Sequence, residues 1–240
     1  MHSPIVNVMQ ISREKLLSWG VLRNLKREEI VDKYLKDIPS PTPDEVLLLT
    51  KEWCTINHLK EEKLFNEWKI INGFDNQNWN YFVSRKWKWE KWCISNFKDQ
   101  INSYYLERKE MLDHVTYSLV RVKTKNLADE LYMRIKEGEV SFNDIAKKYS
   151  EGPEMKTGGL IGPFPMNRAH PQLAEILRIS QKGQLWSPIQ IDNWWVVLRI
   201  EKIDIVPLDK NTALNMALEL GENFLKKELD DLMRESLDKK

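Results

Sequence analysis

Residues 115–122 read VTYSLVRV, a run rich in β-branched and aromatic residues. That composition is typical of a β-strand. The preceding residues, 1–113, contain apolar side chains at helical spacing and show no β-type alternation. The predicted strand therefore marks the point where an all-helical half ends and a different kind of domain begins.

The chain after this strand predicts an α+β domain. The expected elements are, in order, an amphipathic helix ending at Gly138, a short helix from Ser141 to Tyr149, a loop over 152–165, a helix from Pro171 to Leu177, and strands over 185–191 and 194–203. The loop is predicted because Gly and Pro are concentrated there. The domain spans residues 114–207.

Four helical segments are predicted in the first half. They are a segment after Ser12 that ends near Pro39, a helix from Pro43, a run from about Glu61 to Asn72, and a long helix opened by Asn78. Thr42 and Glu45 form a capping-box pattern at the start of the helix from Pro43. Gly73 follows the run that ends at Asn72 and is expected to end that helix. The long helix opened by Asn78 is expected to carry one apolar stripe: Trp89, Cys93, Phe97, Ile101 and Tyr105.

A final helix is predicted after Pro207. Its apolar face is expected to carry Leu214, Leu218, Leu225, Leu229 and Leu232. Such a stripe must pack on a partner, and the helical half is the obvious one. We therefore expect residues 208–240 to complete a helical domain formed by residues 1–113, with the α+β domain inserted between them.

Composition narrows the function classes. The chain has 37 Lys and Arg against 36 Asp and Glu, a net charge of +1. This balance argues against general binding of nucleic acid or anionic membranes. The mean hydropathy of −0.54 and the lack of a long apolar run predict no membrane insertion.

The location of the protein and its need for a metal or a disulfide are inferred from sequence motifs that are lacking. The residues Met1–Pro4 do not begin a secretory signal, so a cytoplasmic location is expected. Cys54 and Cys93 form no CxxC pair, which predicts free thiols and neither a metal site nor a disulfide.

Residues 85–92, RKWKWEKW, interleave basic and aromatic residues, as single-strand nucleic-acid binders do. On a helix the same stretch divides into a buried face with Trp89 and Cys93 and a solvated face with Lys86 and Glu90. The near-zero net charge favours the second interpretation. A steep salt dependence of binding would favour the first.

Five stretches of the predicted α+β domain share one pattern. They are 117–122 (YSLVRV), 142–150 (FNDIAKKYS), 158–162 (GGLIG), 170–173 (HPQL) and 195–200 (WVVLRI). In order and spacing they resemble the parvulin-type (PpiC, rotamase) peptidyl-prolyl cis-trans isomerases. The flanks, including residues 105–115, are similar to a cyanobacterial-type parvulin with a helical N-terminal domain.

The resemblance implies a small antiparallel sheet surrounded by helices. It also implies isomerisation of Xaa-Pro bonds in proline-containing or unfolded polypeptide clients, with no cofactor or metal. For the cyanobacterial group, it further implies a link to secretion-system components of type I export.

The family's functional positions fall on changed residues here. The two histidines fall on Tyr117 and Val196, and the loop Cys or Asp falls on Gly152, or on Glu151 if the alignment slips by one residue. The proline pocket falls on Leu160 or Ile161, Ala169 and Leu173. Trp194 is a further groove candidate, since the adjacent Trp195 points to the opposite face of the strand.

Two functions stay open at this point. In one, the Tyr117 hydroxyl and desolvation support an isomerase, with activity weakened by the substitutions. In the other, the chain is a non-catalytic peptide-binding chaperone or adaptor for protein secretion that uses the same groove.

Overall fold

The computed structural model describes residues 11–238, so the prediction drawn from Met1–Pro4 lies outside the described part. Clustering of backbone contacts gives two compact units. One joins the residues up to Asn102 with those from Lys210 onward, and the other contains Ser103–Asp209. The fold class predicted from the sequence, an α+β domain interrupting a helical one, is confirmed.

The described chain contains ten α-helices and four β-strands. In order they are α1 (Arg13–Ser18), α2 (Leu22–Leu35), α3 (Pro43–Ile56), α4 (Glu62–Ile71), α5 (Asn76–Phe97), α6 (Ile101–Leu112), β1 (His114–Val122), α7 (Lys125–Lys136), α8 (Phe142–Tyr149), β2 (Leu160–Pro165), α9 (Pro171–Arg178), β3 (Leu185–Ile191), β4 (Trp194–Asp204) and α10 (Lys210–Asp238). None of the helices in this part of the chain is both long enough and apolar enough to cross a membrane.

Helix boundaries in the helical unit follow local capping. The Thr42–Glu45 capping box is present, with the Glu45 amide donating to the Thr42 hydroxyl at 3.3 Å. The segment after Ser12 is two helices, because Gly20 adopts a φ of 69° between them. Helix α5 begins two residues before the expected Asn78, because the Asp75 carboxylate accepts from the Asn78 amide at 2.7 Å.

Helix α10 packs against α2 and α5. The Tyr34 hydroxyl donates to Glu228 at 2.9 Å, and the Phe224 ring lies 5.4 Å from that of Trp92. A Cβ on Gly221 would lie only 2.5 Å from the Cys93 sulfur. Of the predicted leucine stripe, Leu225 and Leu229 are buried, whereas Leu232 is 39% exposed, so that prediction is wrong at its last residue.

The sheet has the strand order β2-β1-β4-β3, with antiparallel pairing throughout. The edge strand β2 lies within the segment predicted as a loop, so that prediction is wrong; a 3₁₀ helix, Pro153–Thr157, precedes it. Prolines such as Pro163 and Pro165 are tolerated in an edge strand because one row of its amides needs no partner.

Alternate residues of β1 and β4 face opposite sides of this sheet. One side packs on α9 and contains Tyr117, Leu119, Val196, Leu198 and Ile200. The other side packs on α7 and α8 and contains Val120, Val122 and Val197. The side covered by α9 positions the candidate site.

Candidate peptide-binding groove

A cavity of about 440 Å³ opens on the α9 side of the sheet, and we call it the sheet groove. Its lining comes from the four strands, the β3–β4 turn, the segment that precedes α9, and α9: Tyr117, Leu119, Arg121, Ile161, Phe164, Arg168, Ala169, His170, Leu173, Ile191, Asp192, Trp194 and Val196. Most of these side chains are apolar, and the polar ones lie at a few points of the wall. That composition is usual for a ligand site.

The structure brings together six of the eight residues singled out from the sequence. They are Tyr117, Ile161, Ala169, Leu173, Trp194 and Val196. Leu160 does not line the groove: it pairs with Ser118, its side chain leaves the sheet on the other face, and it is 48% exposed. Of the two alternatives for that pocket position, only Ile161 lies in the groove.

Gly152 also lies outside the groove lining. It precedes the 3₁₀ helix, next to the side chains of Arg121 and Glu154. Glu151, the alternative at this position, is an exposed residue whose carboxylate accepts from the Lys123 amide at 2.9 Å. Gly152 therefore lies next to a lining residue, Arg121, but does not itself line the groove.

Tyr117 is a buried residue of the groove wall whose side chain carries a hydroxyl. The residue is 4% exposed, and its ring meets that of Phe164 edge-on at 5.7 Å. Burial raises the pKa of Tyr117 to about 12; the positive charge of Arg121 opposes this, and the negative charge of Glu154 adds to it by less. The hydroxyl is protonated at neutral pH and is therefore available as a hydrogen-bond donor.

The two adjacent tryptophans of β4 occupy opposite faces, as strand alternation requires. Trp194 lines the groove, with the Lys123 ammonium 3.5 Å from its ring centre. Trp195 packs with the α7 and α8 core instead. At the rim, the His170 imidazole lies 3.3 Å from the Asp192 carboxylate.

An ion pair between a half-buried arginine and a buried glutamate borders the groove, and the sequence alone did not assign it a role. The Glu154 side chain is 1% exposed and pairs with the Arg121 Nε at 2.9 Å. The Ser150 hydroxyl donates to the same carboxylate oxygen at 2.5 Å. The sequence signal for this ion pair was the presence of acidic residues near Gly152. The sequence did not distinguish Glu151, which faces solvent, from Glu154.

Comparison with known families identifies the class of this domain. Residues 113–202 match the Rotamase family model, described as the PPIC-type PPIASE domain. The chain thus contains a parvulin-type domain, and the resemblance seen in the sequence is confirmed for these residues.

Individual relatives include chaperones and foldases. Chaperone SurA of Pseudomonas fluorescens (strain Pf0-1) is 38% identical over 95 residues, which cover 36% of this chain and 22% of SurA. Periplasmic chaperone PpiD of Buchnera aphidicola subsp. Schizaphis graminum is 25% identical over 170 residues, covering 66% of this chain and 27% of PpiD. The matches thus span about a quarter of these two relatives.

Among solved structures, the peptidylprolyl isomerase PrsA from Bacillus cereus aligns with 94% of this chain and 88% of its own. The sequence identity is 20% and the TM-score is 0.43.

Proposed function

We propose that this protein is a peptidyl-prolyl cis-trans isomerase or foldase that binds Xaa-Pro segments of client polypeptides in the sheet groove. One observation carries the proposal. Tyr117, whose phenol is protonated, lines the same cavity of a PpiC-type domain as the apolar side chains of Ile161, Ala169 and Leu173.

The reaction requires neither a nucleophile nor a metal, because no covalent bond breaks. The barrier to rotation about the amide is roughly 18–20 kcal/mol, and it arises from resonance that keeps the amide planar. At the twisted geometry the nitrogen lone pair is no longer delocalised and accepts a hydrogen bond. The Tyr117 hydroxyl supplies a donor whose bond to this nitrogen strengthens as the amide twists, which selectively stabilises the transition state.

Exchange NMR on short Xaa-Pro peptides tests this function. With catalytic amounts of protein, we expect faster cis/trans exchange, and Tyr117→Phe should slow it by about tenfold, a typical effect of removing one such hydrogen bond. Trp195→Phe on the opposite face is the matched control and should leave the rate unchanged. An unchanged catalysed exchange rate in Tyr117→Phe would show that the hydroxyl takes no part in the mechanism.

A second function is favoured by a different observation. By the resemblance to the family, two of its three polar positions fall on Gly152 and Val196, and neither side chain is polar. This supports a non-catalytic chaperone or adaptor that holds proline-containing segments. Leu173→Ala distinguishes the two, because it would lower client affinity in both but would lower a catalysed exchange rate only in the isomerase.

The partners we propose are proline-containing or unfolded polypeptides. The relatives named as chaperones support this class of client, and a role for secretion-system components and a cytoplasmic location stay predictions. The helical unit is proposed to add client contacts through exposed apolar side chains such as Ile70 and Ile71, which are 76% and 82% exposed. Ile70→Ser with Ile71→Ser should then weaken suppression of client aggregation without altering exchange of short peptides.

A further inference from the structure

A cavity of about 430 Å³ lies in the helical unit between α2, α3 and α5, and we call it the helical pocket. This volume is within the range of roughly 300–1,000 Å³ that is usual for small-ligand sites. Its lining combines apolar and aromatic side chains with three basic and three acidic ones. The helical pocket shares no residue with the sheet groove, so its role does not follow from the proposed function.

Aromatic rings from α3 and α5 form part of the pocket wall: Trp53, Phe82, Trp87 and Trp89. Two of these rings are fixed by neighbours outside the lining. The Trp53 ring meets that of Trp79 edge-on at 5.0 Å, and the Trp89 ring stacks on that of Trp92 at 4.8 Å. Ordered aromatic rings favour a further flat ring in offset or edge-on contact.

Arg85 adds a planar cation to this wall, and its donor edge is already occupied. The Nε donates to the Asp32 carboxylate at 2.9 Å, one terminal nitrogen donates to the Glu28 carboxylate, and the other donates to the Glu28 carbonyl at 3.0 Å. Because each nitrogen is engaged, the group that remains for a ligand is the face of the guanidinium. That face stacks on aromatic rings.

The other charges of the helical pocket are compensated within the helical unit. Arg27 pairs with Glu28 at 2.8 Å and with Glu222 at 2.6 Å. The Lys86 side chain is 85% exposed, with its ammonium 3.8 Å from the Glu90 carboxylate. Since basic and acidic lining residues balance and an unpaired buried charge is costly, this lining favours an uncharged ligand.

The backbone around the helical pocket favours a small molecule over a polypeptide. All of the lining residues lie within α2, α3 and α5, whose backbone groups bond along the helices. The pocket therefore presents side chains and no strand edge to which an extended peptide could add.

We infer that the helical pocket binds a small, uncharged, planar aromatic compound against the rings of Trp53 and Phe82 and the face of Arg85. This site is independent of the sheet groove, so the inference and the proposed function can fail separately.

Titrations followed by ¹H–¹⁵N NMR of the tryptophan indoles test the inference. The probes are naphthol, decahydronaphthol as its saturated analogue, and naphthalenesulfonate as a charged analogue. Naphthol should shift the indole signals of Trp53 and Trp89 saturably. It should bind about three- to tenfold more tightly than decahydronaphthol, because contacts of a flat ring with aromatic rings and a guanidinium add to the effect of burial. The sulfonate should bind more weakly than naphthol.

Two phenylalanines beside Trp53 provide matched variants. The ring centres of Phe82 and Phe65 lie 6.2 Å and 6.3 Å from that of Trp53, but Phe82 lines the helical pocket and Phe65 does not. Phe82→Leu should lower the affinity for naphthol by about threefold and leave that for decahydronaphthol unchanged. Phe65→Leu should leave both affinities unchanged. Arg85→Gln should also reduce the preference for naphthol, and thermal unfolding checks that each variant is folded.

Three results would overturn the inference. The first is equal affinity for naphthol and decahydronaphthol, or no saturable shift at Trp53 and Trp89 with naphthol. The second is an equal loss of naphthol affinity in Phe82→Leu and Phe65→Leu, which would indicate a change of packing and not a lost contact. The third is tighter binding of an acetylated Ala-Ala-Trp-Ala-Ala amide than of naphthol, since the occupant would then be a polypeptide side chain. Each of these results would leave the proposed function of the sheet groove standing.

Discussion

The two faces of the sheet are formed by alternate residues of the same strands, yet one is fully packed and the other leaves a cavity. The face covered by α7 and α8 is closed by fully buried side chains such as Val120, Leu131 and Val197. The face covered by α9 is also apolar but leaves the sheet groove open beside Tyr117. The comparison indicates that one face is a closed core that supplies stability, whereas the other contains the proposed binding site.

The largest change in stability should come from a substitution in the face covered by α7 and α8. Leu131 is fully buried, so Leu131→Ala should lower the free energy of unfolding by about 3 kcal/mol through lost burial and the cavity it leaves. Chemical denaturation measures this change. Leu127→Ala, at a half-buried position on the same helix, should cost clearly less, and equal losses would contradict the division between the faces.

A pH effect of similar size should arise on the open face. Because the folded pKa of Tyr117 is about 12 and its ordinary value is 10, folding favours the neutral phenol. This contribution is fully present below pH 10 and is lost as pH rises toward 12, by about 3 kcal/mol for a shift of about two units.

Unfolding measured between pH 8 and pH 12 checks this, with Tyr117→Phe as the comparison. The variant should lose less stability than the wild type over that range. If the free energy of unfolding fell equally with pH in the wild type and in Tyr117→Phe, the burial of an uncharged Tyr117 phenol would be contradicted.

A smaller effect distinguishes the two tryptophans. Trp194→Leu should weaken binding of a proline peptide by about threefold, since it removes one aromatic contact of the groove wall. Trp195→Leu should leave peptide affinity unchanged and lower stability instead. Equal losses of affinity in both variants would show that the faces are not separate in function.

Strand alternation made part of the groove predictable. The β-branched run of β1 and the helical spacing around it gave the α+β class, and alternation placed Trp194 and Trp195 on opposite faces. The strand β2 was missed because its Gly and Pro residues also suit a loop, and only pairing with β1 makes Leu160–Pro165 a strand. That pairing register also decides between Leu160 and Ile161.

The ion pair of Arg121 and Glu154 was beyond sequence reasoning for a different reason. Local pattern does not reveal which of two nearby acids turns inward, because that depends on the 3₁₀ helix that follows Gly152. Arg121 and Glu154 are also 33 residues apart in the sequence, a separation at which local patterns do not reveal a contact.

The most direct measurement is a ¹H–¹⁵N spectrum of the tryptophan indoles during titration with a proline peptide. The account predicts that the indole signal of Trp194 shifts with saturation while that of Trp195 stays in place. Saturable shifts at Trp195 with none at Trp194 would contradict the assignment of the sheet groove as the peptide site.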